Sequence, residues 1–283
     1  MGKGKADPSE GREPCAETAF PALAAPLVDR AIEQAAVAAH QPSADGLHEL
    51  RITMRRLQSL WWAYGPMLDA AESTRQRALF RSLSDTAGRA RDYDILIELL
   101  QLRHKNAGVF PAEISDARQA ALDAGKDLLS NPEVRTLLQQ AVAQTSEGLA
   151  ARQERQALQT FADGRVAESE KRLRKRIKLA ARAGKSDLVA FHELRKAAKK
   201  VRYLLELFGP LLSQKHTATL KRLRKIQECF GALNDVVASE KLLRENAVLL
   251  ATLGEPERTL RWFGKERKRR LCAAAALLRE GWK

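Results

Sequence analysis

Residues 47–68 read LHELRITMRRLQSLWWAYGPML and residues 191–212 read FHELRKAAKKVRYLLELFGPLL, one pattern written twice, 144 positions apart, in a chain of 283 residues. His-Glu-Leu-Arg stands at His48–Arg51 and again at His192–Arg195. A basic pair follows each copy at the same distance (Arg55 and Arg56, Lys199 and Lys200), and both copies close on Gly-Pro (Gly65 and Pro66, Gly209 and Pro210). Duplication on this scale means one supersecondary unit used twice. The period is helical. Leu47, Leu50, Met54, Leu57, Trp61 and Tyr64 recur at spacings of three and four, and Phe191, Leu194, Ala198, Val201, Leu205 and Phe208 repeat the same offsets. That predicts a bundle helix with a buried seam in each half. Gly-Pro then stops it, because proline cannot continue the hydrogen-bond ladder.

The polar residues fall on the same wheel. His48, Arg51 and Arg55 lie at i, i+3 and i+7 beside the seam, with Gln58 continuing the row; the second copy sets His192, Arg195, Lys199 and Arg202 there. Two helices thus carry matching basic stripes, each headed by a histidine.

The duplicated H-x-L-R-x-x-x-[RK]-[RK] helix resembles the CHAD family, the conserved histidine α-helical domain. The resemblance covers nearly everything after about residue 20. It implies an all-α fold of two pseudo-symmetric four-helix bundles, with a basic groove or pore between them that binds inorganic polyphosphate. It also implies association with polyphosphate granules.

Composition agrees with an all-helical chain. It is 45% hydrophobic and only 5% aromatic, and no β-rich alternating segment is apparent. The net charge of +14 is unevenly spread. Residues 1–164 hold 19 Lys/Arg against 22 Asp/Glu, whereas residues 165–283 hold 30 against 13. Such a field recruits polyanions: nucleic acid, acidic membrane or polyphosphate. Cys15, Cys229 and Cys272 form neither a disulfide framework nor a metal motif, which fits a reducing cytoplasm. No apolar run approaches the roughly 20 residues needed to span a bilayer, and no signal peptide is apparent. A soluble, cytoplasmic protein is expected.

In chain order the pattern predicts a disordered tail over 1–19, then a first bundle over 20–150 and a second over 151–283. A helix from about Pro21 to His40 precedes the first His helix, which Asp45 is placed to cap. A long helix follows over about Ala70 to Asn106 with Gly88 inside. Breaks at Gly108 and Pro111 and at Asn131 and Pro132 bound two more helices, ending near Ser130 and Gly148. A polar joint over Ala150–Gly164 leads to the second half. There the predicted helices run Val166–Ala183, the His192 helix capped by Asp187, Ser213–Asn246 with Gly231 inside, and Glu257–Leu278 after a break at Gly254–Pro256. Gly88 and Gly231 are each followed, four residues on, by an aspartate (Asp92, Asp235). A glycine inside a helix costs about 1 kcal/mol against alanine, so the pair predicts close helix packing.

Taken singly, His48 and His192 read as half-buried packing histidines; their duplicated basic company moves the reading towards donors to an anionic oxygen. A zinc-protease helix needs His-Glu-x-x-His, and Ile52 and Lys196 stand where the second histidine would be. No metal and no cofactor is expected. The candidate polyphosphate ligands are His48, Arg51, Arg55, Arg56, Arg81, Arg89, His192, Arg195, Lys199, Lys200, Arg202, Lys221, Arg224 and Lys225, with Arg77 widening the first stripe. Arginine forks suit phosphate oxygens bidentately and lysine supplies a mobile point charge. Asp92 and Asp235 are expected to pin basic residues, and Glu49 and Glu193 to pair within their own helices. The basic segment over 257–270 (Arg258, Arg261, Lys265 and Arg267–Arg270) reads at least equally well as a solvated face. No activated nucleophile, glycine-rich phosphate loop or duplicated carboxylate pair is present, so a binder rather than an enzyme is expected. The alternative is a nucleic-acid binder, for which Trp62 is the one stacking candidate in the stripes. Nucleic acid is expected as the weaker competitor, and a metal-dependent enzyme acting on phosphorylated substrates is the third possibility.

Overall fold

The computed structural model describes residues 14–104, 111–183, 187–214 and 216–279. Among them the chain is all-α, with eleven α-helices and no strand. The first half holds α1 (Ala16–His40), α2 (Ala44–Tyr64), α3 (Ala70–Thr86), α4 (Arg89–His104), α5 (Ala112–Ser130) and α6 (Pro132–Ala150). The second holds α7 (Leu158–Arg182), α8 (Leu188–Phe208), α9 (Thr217–Glu245), α10 (Ala247–Thr252) and α11 (Pro256–Arg279).

Helices α2 and α8 are the two His-Glu-Leu-Arg helices. Their seams are the centre of the core: Leu47, Leu50, Met54, Leu57, Trp61 and Tyr64 are fully buried, as are Phe191, Leu194, Ala198, Val201, Leu205 and Phe208 to within a few per cent. Each helix passes at Gly-Pro into a single 3₁₀ turn (Gly65–Met67, Gly209–Leu211). Helix α1 packs on α2 as α7 packs on α8. The buried residues of α1 (Ala16, Phe20, Ala24, Ala31, Ala35, Ala38) answer those of α7 (Leu158, Ala162, Val166, Leu173, Ile177, Ala180) at a constant offset. One hydrophobic cluster runs through both halves, joined by edge-to-face contacts of Phe20 with Trp61 and Tyr64 and by Tyr64 against Phe161. A second, smaller cluster seats α4 and α5 against α9, α10 and α11 through Leu96, Ile114, Val236 and Phe263.

The structure redraws four boundaries. Helix α1 begins at Ala16, not near Pro21, because the start of each half is pinned to the other. Ala16 N–H donates to the Gln156 carbonyl (2.8 Å), Leu158 N–H donates to Pro14 (2.9 Å), and the Tyr64 hydroxyl donates to the Ala16 carbonyl (2.9 Å). Residues 14–19 therefore do not belong to a tail, while residues 1–13 lie outside the described residues. The joint between halves is short, because Leu158, Phe161 and Ala162 bury themselves and draw α7 back to residue 158. Ser43, not Asp45, caps α2, its hydroxyl accepting from Gly46 N–H (3.0 Å); Asp187 caps α8 as expected, accepting from Ala190 N–H (3.0 Å). The long helix expected over 70–106 is two helices, whereas its counterpart α9 is continuous and a short α10 follows it. The break lies at Ala87 and Gly88, and the Gly108 break falls outside the described residues, as does residue Gly184 of the loop before Asp187.

Candidate polyanion site

Arg56, midway along α2, meets Glu206 near the end of α8, while Lys200, midway along α8, meets Trp62 near the end of α2. The two helices therefore cross antiparallel, and their basic stripes face each other across the crossing. On one side, α3 and α7 close over them to form a cleft of about 430 Å³. Arg55, Arg77, Arg81, Arg172, Arg176, Lys196, Lys199 and Lys200 line it, with Glu193 the lone carboxylate and Gln58, Ser59, Ser169, Trp62 and Tyr203 completing the wall. Eight Arg and Lys side chains against one acid give the cleft a strong positive field, suited to a multiply charged anion.

Burial sets the electrostatics. Lys199 lies at the centre of the stripes, and its ammonium is pushed down from 10.5 to about 6, first by loss of solvent and then by Arg195, Arg55, Arg51 and Arg202. Lys200 falls to about 8 for the same reason, with Arg77, Arg172 and Arg165 as its repelling neighbours. A lysine driven towards neutrality by burial, and further by the cations around it, is one whose charge a bound anion would restore. The guanidinium Nε atoms of Arg51 and Arg195 are buried without a protein acceptor. Partial burial also raises Asp92 and Asp235, against the opposing pull of Arg51 and Arg195.

Gly88 stands at the break between α3 and α4, where Arg51 comes in close. A Cβ there would sit 2.5 Å from the Arg51 guanidinium carbon, so a larger residue would displace this guanidinium, which points one Nη at the Gly88 carbonyl and at Asp92 (both 3.5 Å). Gly231 has nothing within 4 Å of its Cβ position, so the expected close packing holds at the first glycine and not at the second.

Trp62, 8% exposed, is wrapped by cations. Arg165 Cζ lies 4.3 Å, Lys200 Nζ 4.2 Å and Arg172 Cζ 5.2 Å from its ring centroid. Arg165 also donates to the Trp62 carbonyl (3.1 Å), closing the end of α2. The ring acts as an aromatic platform for positive charge and offers no open face for a base. Tyr203, 4% exposed, is equally sunk.

The remaining sequence-chosen residues divide. Arg55, Arg81, Lys199 and Lys200 line the cleft; Arg51 and Arg195 stand behind it near Arg55. His48 is half-buried, its Nδ1 without a protein partner, and burial together with Arg91, Arg51 and Arg55 lowers its pKa below 6.5. His192 is exposed, with Nδ1 3.2 Å from the Asn234 side-chain oxygen, so the two histidines do not share one environment. Arg56 and Arg202 are engaged by Glu206. Arg89, Lys221, Arg224 and Lys225 are exposed and do not line the cleft; Lys225 instead borders a groove with Glu228, Cys229 and Arg270. Glu193 pairs with Lys196 one turn away but also with Arg176 of α7, and Glu49 reaches Arg30 of α1 rather than a neighbour on its own helix. In the 267–270 run, Arg267 meets Glu240, and Arg269 and Arg270 both meet Glu266. Arg172, Arg176 and Lys196 also line the cleft although the stripes did not single them out; the excess of Lys/Arg over residues 165–283 was the available signal.

Among the described residues no three His, Cys, Asp or Glu side chains gather where a metal ion would be held, and no helix is long and apolar enough to cross a membrane. The profile of the CHAD domain matches residues 22–244. The CHAD domain from the plant Ricinus communis superposes with a TM-score of 0.77 at 25% identity, over 94% of this chain and 92% of that one. PptA from Streptomyces chartreusis superposes with a TM-score of 0.66 at 15% identity, over 94% and 97%, a likeness of fold alone. No curated protein matches the sequence.

Proposed function

Because the chain belongs to the CHAD domain family, we propose that its basic cleft binds inorganic polyphosphate without turning it over. The observation that carries this is the cleft between α2, α3, α7 and α8, which eight Arg and Lys side chains line with a single carboxylate and where burial first, and the cationic neighbours second, drive the central lysine towards neutrality. A polyphosphate chain supplies close-spaced oxyanions that arginine forks accept bidentately, and bound phosphate relieves the cation–cation repulsion. The chain has no bases, and Trp62 and Tyr203 offer none of the open aromatic faces on which single-stranded nucleic acid is read. Nucleic acid is therefore the weaker competitor. The absence of a clustered acidic constellation among the described residues favours retention over hydrolysis. A cytoplasmic protein seated on polyphosphate granules follows from this reading.

Competition at equal phosphate concentration tests it. Long-chain polyphosphate should displace single-stranded DNA, with log affinity falling linearly in log salt as counterions are released. Preferential retention of DNA or RNA at physiological salt would overturn the proposal.

A further inference from the structure

The repeat makes Trp62 and Glu206 counterparts, as it does Lys200 and Arg56. The same two contacts therefore occur at the two ends of the α2–α8 crossing with opposite chemistry. At one end Lys200 packs 4.2 Å from the Trp62 ring, which holds cations without cancelling their charge. At the other, Arg56 Nη2 lies 3.5 Å from one Glu206 oxygen and Arg202 Nε lies 3.4 Å from the other. A single carboxylate thus bridges two guanidinium groups as an oxyanion of the ligand would. Resting on the polyphosphate reading, we infer that Glu206 is a specificity-determining residue, an internal anion that closes the second end of the crossing and confines bound polyphosphate to the Trp62 end.

The geometry sets what removal of this charge does. Arg56 and Trp62 are six residues apart on α2, so the two ends lie roughly 9 Å apart at 1.5 Å per residue. A short oligomer seated beside Trp62 gains nothing from a freed Arg56 and Arg202, whereas a longer chain spans both ends. Glu206 is exposed, and the Arg56 and Arg202 side chains it holds keep 34% and 26% of their own exposure, so water can replace it and the fold should survive its substitution.

The test is calorimetric titration of wild type, Glu206→Gln and Glu206→Ala with tripolyphosphate and with long-chain polyphosphate, folding being checked by thermal melts. Both variants should bind long chains about tenfold more tightly, the scale of one added charge-assisted contact, while tripolyphosphate affinity moves less than about twofold. Adding Arg56→Gln to Glu206→Gln should return long-chain affinity to the wild-type value. Glu133→Gln, an equal charge change on the exposed start of α6, should alter neither ligand. An equal gain for both ligands, the same gain from Glu133→Gln, or no gain at all would overturn the role of Glu206 while leaving the polyphosphate reading in place. A wild-type protein that binds neither anion would remove that reading and this inference with it.

Discussion

Replacing Lys199 by methionine should stabilise the free protein and cripple its ligand binding, because the lysine is held against its own titration. Its pKa falls from 10.5 to about 6 in the folded chain, so between those values the unfolded state binds the extra proton. Stability contributed by this site therefore rises with pH across that window, and its cost is fully present below about pH 6. Each pKa unit is worth about 1.36 kcal/mol; with a generous discount for the residual solvent contact of Lys199, roughly 2 kcal/mol of penalty remains at pH 7. Lys199→Met should then raise the melting temperature of the ligand-free protein by roughly 4–8 °C. Polyphosphate restores the ammonium, so the wild type should take up nearly one proton on binding at pH 7.5, and affinity should fall about tenfold per pH unit above pH 6.5. Lys200, at about 8, should add a second uptake above pH 8. Titration in two buffers of different ionisation enthalpy measures the uptake directly. Uptake below about 0.2 proton at pH 7.5, or uptake unchanged in Lys199→Met, would refute the argument that the cleft stores unneutralised positive charge.

The two glycines separate packing from propensity: Gly88→Ala should displace Arg51 and weaken polyphosphate binding several-fold, whereas Gly231→Ala, with open space at its Cβ, should bind normally and gain up to about 1 kcal/mol in a denaturant melt. Arg55→Gln with Arg81→Gln should cost far more affinity in calorimetry than Arg269→Gln with Arg270→Gln, since the latter pair is already held by Glu266 and acts through the distant field alone. His48 should titrate below 6.5 by NMR in the free protein and shift upward with polyphosphate bound; its depressed pKa means that its share of stability is lost as pH falls through the 6.5 region.

Seams were legible because burial imposes a period, and every seam residue of α2 and α8 is indeed interior. The stripes were legible for the same reason, since they ride on the same helices. What the period does not encode is which helix lies opposite. Arg172 and Arg176 join the cleft because α7 packs on α8, while Lys221, Arg224 and Lys225, equally basic and equally periodic, lie on a face of α9 that the cleft does not reach. Repeated letters also conceal unequal roles. Gly88 admits a guanidinium and lies at a helix break, whereas Gly231 faces open space inside a continuous helix, and Asp45 yields the cap to Ser43 because capping depends on where the chain turns in. The polar look of residues 150–164 hid Leu158, bonded to Pro14, and Phe161, packed on Tyr64, whose burial depends on partners far earlier in the chain.

Those partners have a consequence for how the chain is made. The backbone bonds of Pro14 and Ala16 with Leu158 and Gln156, and the Tyr64 hydroxyl bond to the same corner, join segments at opposite ends of the first half. During synthesis α1 and α2 leave the ribosome long before residue 158 exists, so the edge of Tyr64 that Phe161 later covers stays wet until then. Contacts of such sequence separation slow folding and prolong exposure of apolar surface. A fragment ending at residue 150 would carry this unfinished corner permanently, and the nascent chain carries it transiently, which makes the arrival of α7 the step that commits the first half to its native packing.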